Sequence, residues 1–298
     1  MNVAVVGSGI GGLGAAYLLA KGHEVTVFER AEYVGGHTNT IAVPVHDGRT
    51  LGLDTGFLVH NQENYPNLVR LFDELGVATQ DSNMSFSVSC ERCGLEYSGA
   101  RPWLQGANLV RPSFVPLMLE IVRFMKTAER RVGGPDETLL QFADRERYSR
   151  RFRDHFLVPL ASSLWSTGPS ETLAFPAAYA VAFFANHGML RFRRFTWRTV
   201  VGGSQSYVRA ILERFPGSVH TGQGVRSVRR DADGITVRTE DGRERSFDAI
   251  VLGTHPDQSL AMLEDPSDDE RRLLGAFTYI ENETVLHTDA RMIPRRPS

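Results

Sequence analysis

Two groups of residues in this chain have the types and spacing to do chemistry. The first is Gly7-Ser8-Gly9-Ile10-Gly11-Gly12 together with Glu29. An apolar run, Asn2-Val3-Ala4-Val5-Val6, leads into the glycines, and a helix-like stretch from Leu13 to Lys21 follows them. A second apolar run, Glu24-Val25-Thr26-Val27-Phe28, ends on Glu29. Strand, glycine turn, helix, strand and acid in that order form the βαβ cradle of a dinucleotide. Gly7 permits the tight turn, Gly9 lets backbone approach a pyrophosphate, and Gly12 lets the helix pack closely. The free N–H groups and positive end of the helix then face the phosphates. Glu29 lies twenty residues after Gly9, where an acid accepts ribose hydroxyls. A carboxylate there argues against the 2′-phosphate of NADP.

The second group is Cys90 and Cys93, the only cysteines. A Cys-x-x-Cys pair can bind zinc or cycle as a disulfide, but the sequence offers no second pair to complete a zinc site. Redox pairs usually open a helix. This one lies between Phe86-Ser87-Val88 and Leu95-Glu96-Tyr97, a hairpin pattern with Gly94 in its turn. A structural role is expected and no metal, with metal and redox chemistry left as the alternatives. His60 stands six residues after Asp54, and packing is the commoner fate of a lone histidine. No serine nucleophile elbow, His-Glu metal box or acid–base pair stands out, so the catalytic residues are unknown.

After Glu29 come Arg30-Ala31-Glu32-Tyr33-Val34 and then Gly35-Gly36-His37-Thr38. An acid followed closely by a Gly-Gly pair resembles the extended FAD motif of the flavin amine oxidase superfamily, which includes monoamine and polyamine oxidases, protoporphyrinogen oxidase and phytoene desaturases. Many members carry Arg after the pair, where this chain has His37. Leu53-Asp54-Thr55-Gly56-Phe57 resembles the superfamily's stretch beside the flavin ring. Pro159-Leu160 with Leu164-Trp165 resembles a segment of its substrate domain. Val219, Val225 and Val228 fit the strand pair that touches adenine, with Val225 the best match. Phe247 to Pro256 resembles the strand and turn near the pyrophosphate. The resemblance implies FAD as cofactor, held by Gly7, Ser8, Gly9, Ile10, Gly11, Gly12, Glu29, Arg30, Gly35, Gly36, His37, Thr38, Thr55, Gly56, Phe57, Val225 and Gly253. More narrowly, the Gly35 to Thr38 pattern, the Asp54 stretch and Ser85-Phe86-Ser87-Val88 resemble a bacterial branch linked to modified fatty-acyl lipids.

These elements imply an α/β fold: a Rossmann-like FAD-binding domain of the GR2 type with an inserted mixed α+β substrate or cap domain. The cofactor domain is expected to be discontinuous, from residues 1–75 and 198–275, with the cap at 76–197. Residues 276–298 would begin a further strand of the substrate domain, cut short. Family members continue beyond this point with a second glycine-rich element, so the chain reads as an N-terminal portion. Asn64-Tyr65-Pro66 opens a helix with Leu68, Leu71, Phe72 and Leu75 on one face and Gly76 at its end. Asp136 is expected to cap a helix carrying Leu139, Leu140 and Phe142. Phe114 to Met125 reads as a buried cap helix, the alternative being a surface helix that touches a membrane. Phe183, Phe184, Phe192, Phe195 and Trp197 are core residues or the walls of an apolar substrate pocket.

A net charge of −2 gives no polyanion signal, so nucleic acid is not expected as a partner. Residues 3–6 are too short for the apolar core of a secretory leader. The Leu173 to Phe184 run, broken by Pro176, is too short to span a bilayer. A cytoplasmic protein is expected, with peripheral contact to the inner membrane left open. The function these features imply is an FAD-dependent oxidoreductase that oxidises or desaturates an apolar, fatty-acyl-like substrate by hydride transfer to flavin N5. The alternatives are a truncated, non-catalytic FAD-binding remnant and a non-redox flavoprotein such as a mutase or isomerase. The oligomeric state is unknown.

Overall fold

A computed structural model describes residues 1–45, 47–98, 108, 111–191, 195–232, 234–281 and 283–292. The chain begins β1 (Asn2–Val6), α1 (Ile10–Leu19), β2 (Glu24–Phe28), then the hairpin β3 (Thr40–Pro44) and β4 (Thr50–Asp54), α2 (Pro66–Leu75) and β5 (Thr79–Asp81). A second hairpin, β6 (Ser87–Cys90) and β7 (Leu95–Ser98), precedes the helices α3 (Phe114–Arg131), α4 (Leu139–Arg145) and α5 (Arg150–Phe152). A π-turn over Arg153–Leu157 joins α5 to α6 (Val158–Trp165), followed by α7 (Pro169–Ala174) and α8 (Ala177–Asn186). The chain then continues through β8 (Arg198–Val200), α9 (Gln205–Arg214), β9 (Ser218–His220), β10 (Val225–Asp231), β11 (Gly234–Thr239), β12 (Glu244–Phe247), β13 (Ala249–Leu252), α10 (Pro256–Met262) and α11 (Asp268–Leu274).

The residues fall into two compact units. The first holds Met1–His60, Tyr65–Asp81 and Arg198–Glu281. Its main sheet is parallel, in the order β13-β1-β2-β9, with Val3 opposite Val25 and Ala249, and Val5 opposite Val27 and Val251. Burial on both faces explains why β1 and β2 are continuous apolar runs rather than alternating ones. The pleat still sorts their side chains. Val3, Val5, Val25 and Val27 pack with Ala16 of α1, whereas Ala4, Val6 and Phe28 pack with Val225, Val228, Val237 and Phe247. Each such valine or phenylalanine contributes about 1.5–3 kcal/mol by leaving water.

The second group belongs to an antiparallel sheet, β10-β11-β12. Val219 therefore does not share a strand pair with Val225 and Val228: it sits in β9 of the parallel sheet and they sit in β10. Gly217 and Gly222 flank β9, and that break separates the two sheets.

Most of the second unit is Ser82–Trp197. The core holds one face of α3, namely Phe114, Leu117, Met118, Ile121, Phe124 and Ala128, with Phe152, Phe156 and Phe184 around it. This helix is a core element, and its exposed apolar residues Val115 and Leu119 lie off the buried face. Phe184 is fully buried there, while Phe183 and Trp197 each lie stacked with the His187 ring. Phe192 lies outside the described residues. Thr138, not Asp136, caps α4: its hydroxyl accepts from the Gln141 N–H and the Gln141 side chain accepts from the Thr138 N–H. A capping box needs Thr and Gln three apart, and this pair wins over the lone aspartate.

The strand expected from residue 276 is not formed among the described residues. Phe277, Tyr279, Ile280, Val285 and Leu286 are exposed there, and among the described residues no strand pairs with this segment. Residues 282 and 293–298 lie outside the described set. Among the described residues no helix is long and apolar enough to cross a membrane.

Candidate active site

The glycine turn is locked by three interlocking glycines. Gly7 adopts φ +91°, and its N–H donates to the Phe28 carbonyl at 2.8 Å, which ties the turn to the end of β2. A Cβ on Gly12 would lie 1.9 Å from the Gly7 carbonyl oxygen, and one on Gly253 would lie 2.8 Å from Gly12 Cα. The close approach made by Gly12 is thus chiefly to the turn itself and to the Gly253 backbone, with Val5 Cγ1 farther off at 3.4 Å. By contrast, nothing lies within 4 Å of a Cβ built on Gly9 or Gly11. Gly9 is the N-cap of α1 and has no side chain to satisfy the first N–H groups of the helix. An open space, unsatisfied donors and a helix dipole together make an anion cradle.

Glu29 is held at the edge of that cradle by its own backbone. Its N–H donates to the His220 carbonyl and its carbonyl accepts from Gln223, both at 2.9 Å. Its Oε2 accepts from Ser8 N–H at 2.9 Å and Ser8 Oγ at 2.5 Å, and its Oε1 accepts from Ala31 N–H at 2.8 Å. Ser8 Oγ also accepts from Gly35 N–H at 3.2 Å, so Ser8 joins the turn, the acid and the Gly-Gly pair. A carboxylate has about four acceptor positions, and the three in use leave one on Oε1 for a hydroxyl.

The β3–β4 hairpin carries the remaining motifs to the same end of the sheet. Gly36, at φ +57°, lies against the turn, because a Cβ there would sit 3.2 Å from Gly9 Cα. The pairing extends past the hairpin: Thr55 N–H donates to Asn39 O at 2.9 Å, and Phe57 N–H to His37 O at 3.0 Å. A Cβ on Gly56 would fall 2.0 Å from that His37 oxygen. The Gly35 to Thr38 segment and Thr55-Gly56-Phe57, seventeen residues apart at their nearest, are therefore held side by side just beyond the end of the β3–β4 hairpin.

The flavin containing amine oxidoreductase family model matches residues 10–282. The chain belongs to this family. Its fold is that of the solved amine oxidases: it superposes on a cyclohexylamine oxidase from Brevibacterium oxydans IH-35A with a TM-score of 0.71 at 20% identity, covering 92% of this chain and 62% of that one. A fatty acid isomerase from P. acnes that produces CLA gives 0.60 at 18% identity, covering 92% and 63%. A 4,4'-diapophytoene desaturase from Staphylococcus haemolyticus is 62% identical over 37 residues, 12% of this chain and 7% of its own. The chain thus spans about three fifths of the length of the solved relatives it matches.

The hairpin is pinned by residues that carry no motif. Asp54 accepts from Thr40 Oγ1 at 2.6 Å, from Ser204 Oγ at 2.8 Å and from Ser204 N–H at 2.9 Å. Gln205 Nε2 donates to the Val34 carbonyl at 3.0 Å, and Thr38 shares a hydrogen bond with the Tyr207 hydroxyl. Thr40 and Ser204 converge on Asp54 Oδ1, and Oδ2 shares the Ser204 N–H at 3.0 Å, so this carboxylate ties the hairpin to the segment that opens α9. Thr38 is buried. Thr55 is bonded to Asn39, and Phe57 packs edge-on to Tyr65.

Among the other residues the motif singled out, His37 is exposed and lies nearly parallel to His255, which stacks on Tyr279 with centroids 4.4 Å apart. Arg30 is exposed and ion-paired with Glu240 at 3.1 Å. Val225 is buried in the β10 core.

His60 does not open toward solvent. It is buried edge-on against Phe72, and its Nδ1 has no hydrogen-bond partner. Burial, with a smaller push from Arg198, holds its imidazole below the ordinary histidine value. The folded chain therefore binds fewer protons than the unfolded chain as pH falls through about 6.5. Stability contributed by neutral His60 is present above that pH and is lost on acidification toward the lower, folded-state value. Urea midpoints measured from pH 8 to 5 should fall less steeply for His60→Gln than for the natural chain, and superimposable profiles would refute this assignment.

Proposed function

We propose that this chain binds FAD and serves a two-electron oxidation of an apolar, fatty-acyl-like substrate. One observation carries the cofactor half of the reading. The open space at Gly9 and Gly11 coincides with an uncapped helix N-terminus and with a carboxylate that retains one acceptor position. The N–H groups that open α1 would receive the pyrophosphate, Glu29 a ribose hydroxyl, and the backbone of Gly35 and Gly36 would let the chain pass beside it. Val225 and Gly253 belong to the same reading as adenine and pyrophosphate neighbours. When bound, the flavin supplies the electron acceptor. The task left to the protein is to orient a C–H bond and exclude water. That task needs no acid–base pair, in keeping with the lack of such a pair in the sequence.

The substrate half is supported by the names of two of the proteins matched above, a fatty acid isomerase and a diapophytoene desaturase, both named for apolar molecules. Residues 76–197 would act as the cap over that substrate, and 1–75 with 198–275 as the cofactor domain.

The test is a visible spectrum of the purified chain before and after FAD addition and gel filtration, followed by anaerobic addition of unsaturated or methylated fatty-acyl lipids. Flavin bands that travel with the protein and bleach on adding lipid support the reading. Bound flavin that converts lipid without bleaching would mean isomerisation instead. Protein that leaves the column colourless would mean that this chain does not hold the cofactor.

A further inference from the structure

The Cys90 and Cys93 pair takes no part in the cofactor cradle; it belongs to the second unit. It occupies the tip of the β6–β7 hairpin, where Gly94 at φ +61° closes the turn and donates its N–H to the Cys90 carbonyl at 2.8 Å. The fold brings a third donor to this tip from far along the chain. His155 Nε2 lies 3.2 Å from Cys93 Sγ, across 62 residues of sequence, and both sulfurs and the ring nitrogen lie within 4.8 Å of one another.

The histidine is set up as a ligand rather than as filler. Its Nδ1 faces the Arg151 carbonyl at 3.1 Å. A carbonyl only accepts, so Nδ1 carries the ring proton and the Nε2 lone pair points at the thiols. Its own carbonyl accepts from the Tyr97 hydroxyl at 2.6 Å, which fixes the backbone against β7. It is also buried within the π-turn Arg153–Leu157, a rare deviation that frequently marks functional sites.

We propose that Cys90, Cys93 and His155 form a zinc site whose fourth position is open to water. Two sulfurs and one imidazole are the donors a borderline-soft ion takes, whereas calcium and magnesium require oxygen. Zinc–ligand bonds of about 2.0–2.3 Å give tetrahedral edges of roughly 3.5–4 Å, so donors already within 4.8 Å need draw in by only about an ångström. No further Cys, His, Asp or Glu joins the cluster among the described residues, and the sequence of 99–110 contains none. Cys93 is exposed, so water reaches the open position. Binding replaces two thiol protons, released to solvent, with one dication, and the site gains no net charge. The ion would clip the hairpin to the π-turn and close a long loop within the second unit.

The test uses the whole chain, reduced and stripped with a chelator, then titrated separately with Zn²⁺ and with Co²⁺. The expected result is one metal per chain after gel filtration. Cobalt should add long-wavelength bands of a tetrahedral, thiolate-ligated ion, beyond the flavin's own absorption. Zinc should raise the thermal midpoint of the natural chain, because an ion that binds only the folded state stabilises it. Cys93→Ser, at an exposed position, should weaken metal binding at least tenfold and abolish the thermal response; His155→Gln should do the same. A fully reduced natural chain that retains no metal would overturn the proposal even if both variants failed to fold. Metal uptake unchanged in Cys93→Ser would overturn it too. A Cys90–Cys93 disulfide in protein isolated from cells, with no zinc uptake after reduction, would replace it with a redox pair.

Discussion

Gly12→Ala should abolish flavin binding and lower the thermal midpoint by roughly 6–12 °C. The reason is geometric. The added methyl would stand 1.9 Å from the Gly7 carbonyl oxygen, and the Gly253 backbone runs so near that a Cβ on it would lie 2.8 Å from Gly12 Cα. Both neighbours are backbone, so no side-chain rotation relieves the clash, and the turn or the helix must move. Overpacking of this kind costs about 1–3 kcal/mol, and the rigid contact puts Gly12 near the top of that range. For a chain of this size each kcal/mol is worth about 2–4 °C. Any displacement moves the N–H groups that open α1 away from an anion. Gly14→Ala is the internal control, since nothing lies within 4 Å of a Cβ there. It should leave flavin binding intact and stabilise the helix by about 0.5–1 kcal/mol, the ordinary gain of alanine over glycine. A Gly12→Ala chain that melts and binds like the natural one would show that the glycine interlock is not what shapes the cradle.

Glu29→Ala should weaken FAD binding by at least about tenfold, or 1.4 kcal/mol. Two losses combine. The acceptor position on Oε1 disappears, and so does the anchor for Ser8 N–H, Ser8 Oγ and Ala31 N–H. Hydrogen bonds to a charged group are worth about 1.5–3 kcal/mol each, so stability should fall along with affinity. Glu29→Gln separates the two effects. Its amide keeps one oxygen as an acceptor but turns the other side into a donor facing donors, so it should recover only part of either loss. Fluorescence titration of FAD and urea unfolding of the three chains measure both. Unchanged affinity in Glu29→Ala would remove the acid from the ribose role and leave it as a brace for the turn.

The amino-acid sequence by itself determined the features whose causes act within a few residues. Gly7 through Gly12 announce a turn and a helix start because the lack of Cβ is a local property, and Glu29 follows at the interval set by one helix and one strand. Pro66 and Gly76 bound α2 as expected, the one fixing φ and the other taking the left-handed cap. Gly94 closes the β6–β7 hairpin for the same reason. The Thr138 cap shows the limit of such signals, since two candidates two residues apart compete and reciprocal bonding decides.

Only the tertiary structure decided which distant groups meet. Asp54 is held by Ser204, 150 residues away, and Thr38 by Tyr207, 169 away. Nothing near Asp54 or Thr38 in the sequence names these partners. Gly253 becomes the third member of the glycine interlock only because β13 pairs beside β1. His155 looks like any buried helical histidine until the π-turn and the hairpin tip bring it to Cys93. A hydroxyl, a carboxylate or an imidazole can bond to many groups, and its type and spacing do not select one. Selection comes from the packing of whole elements, which buries apolar faces first and leaves each polar group the partners that remain within reach.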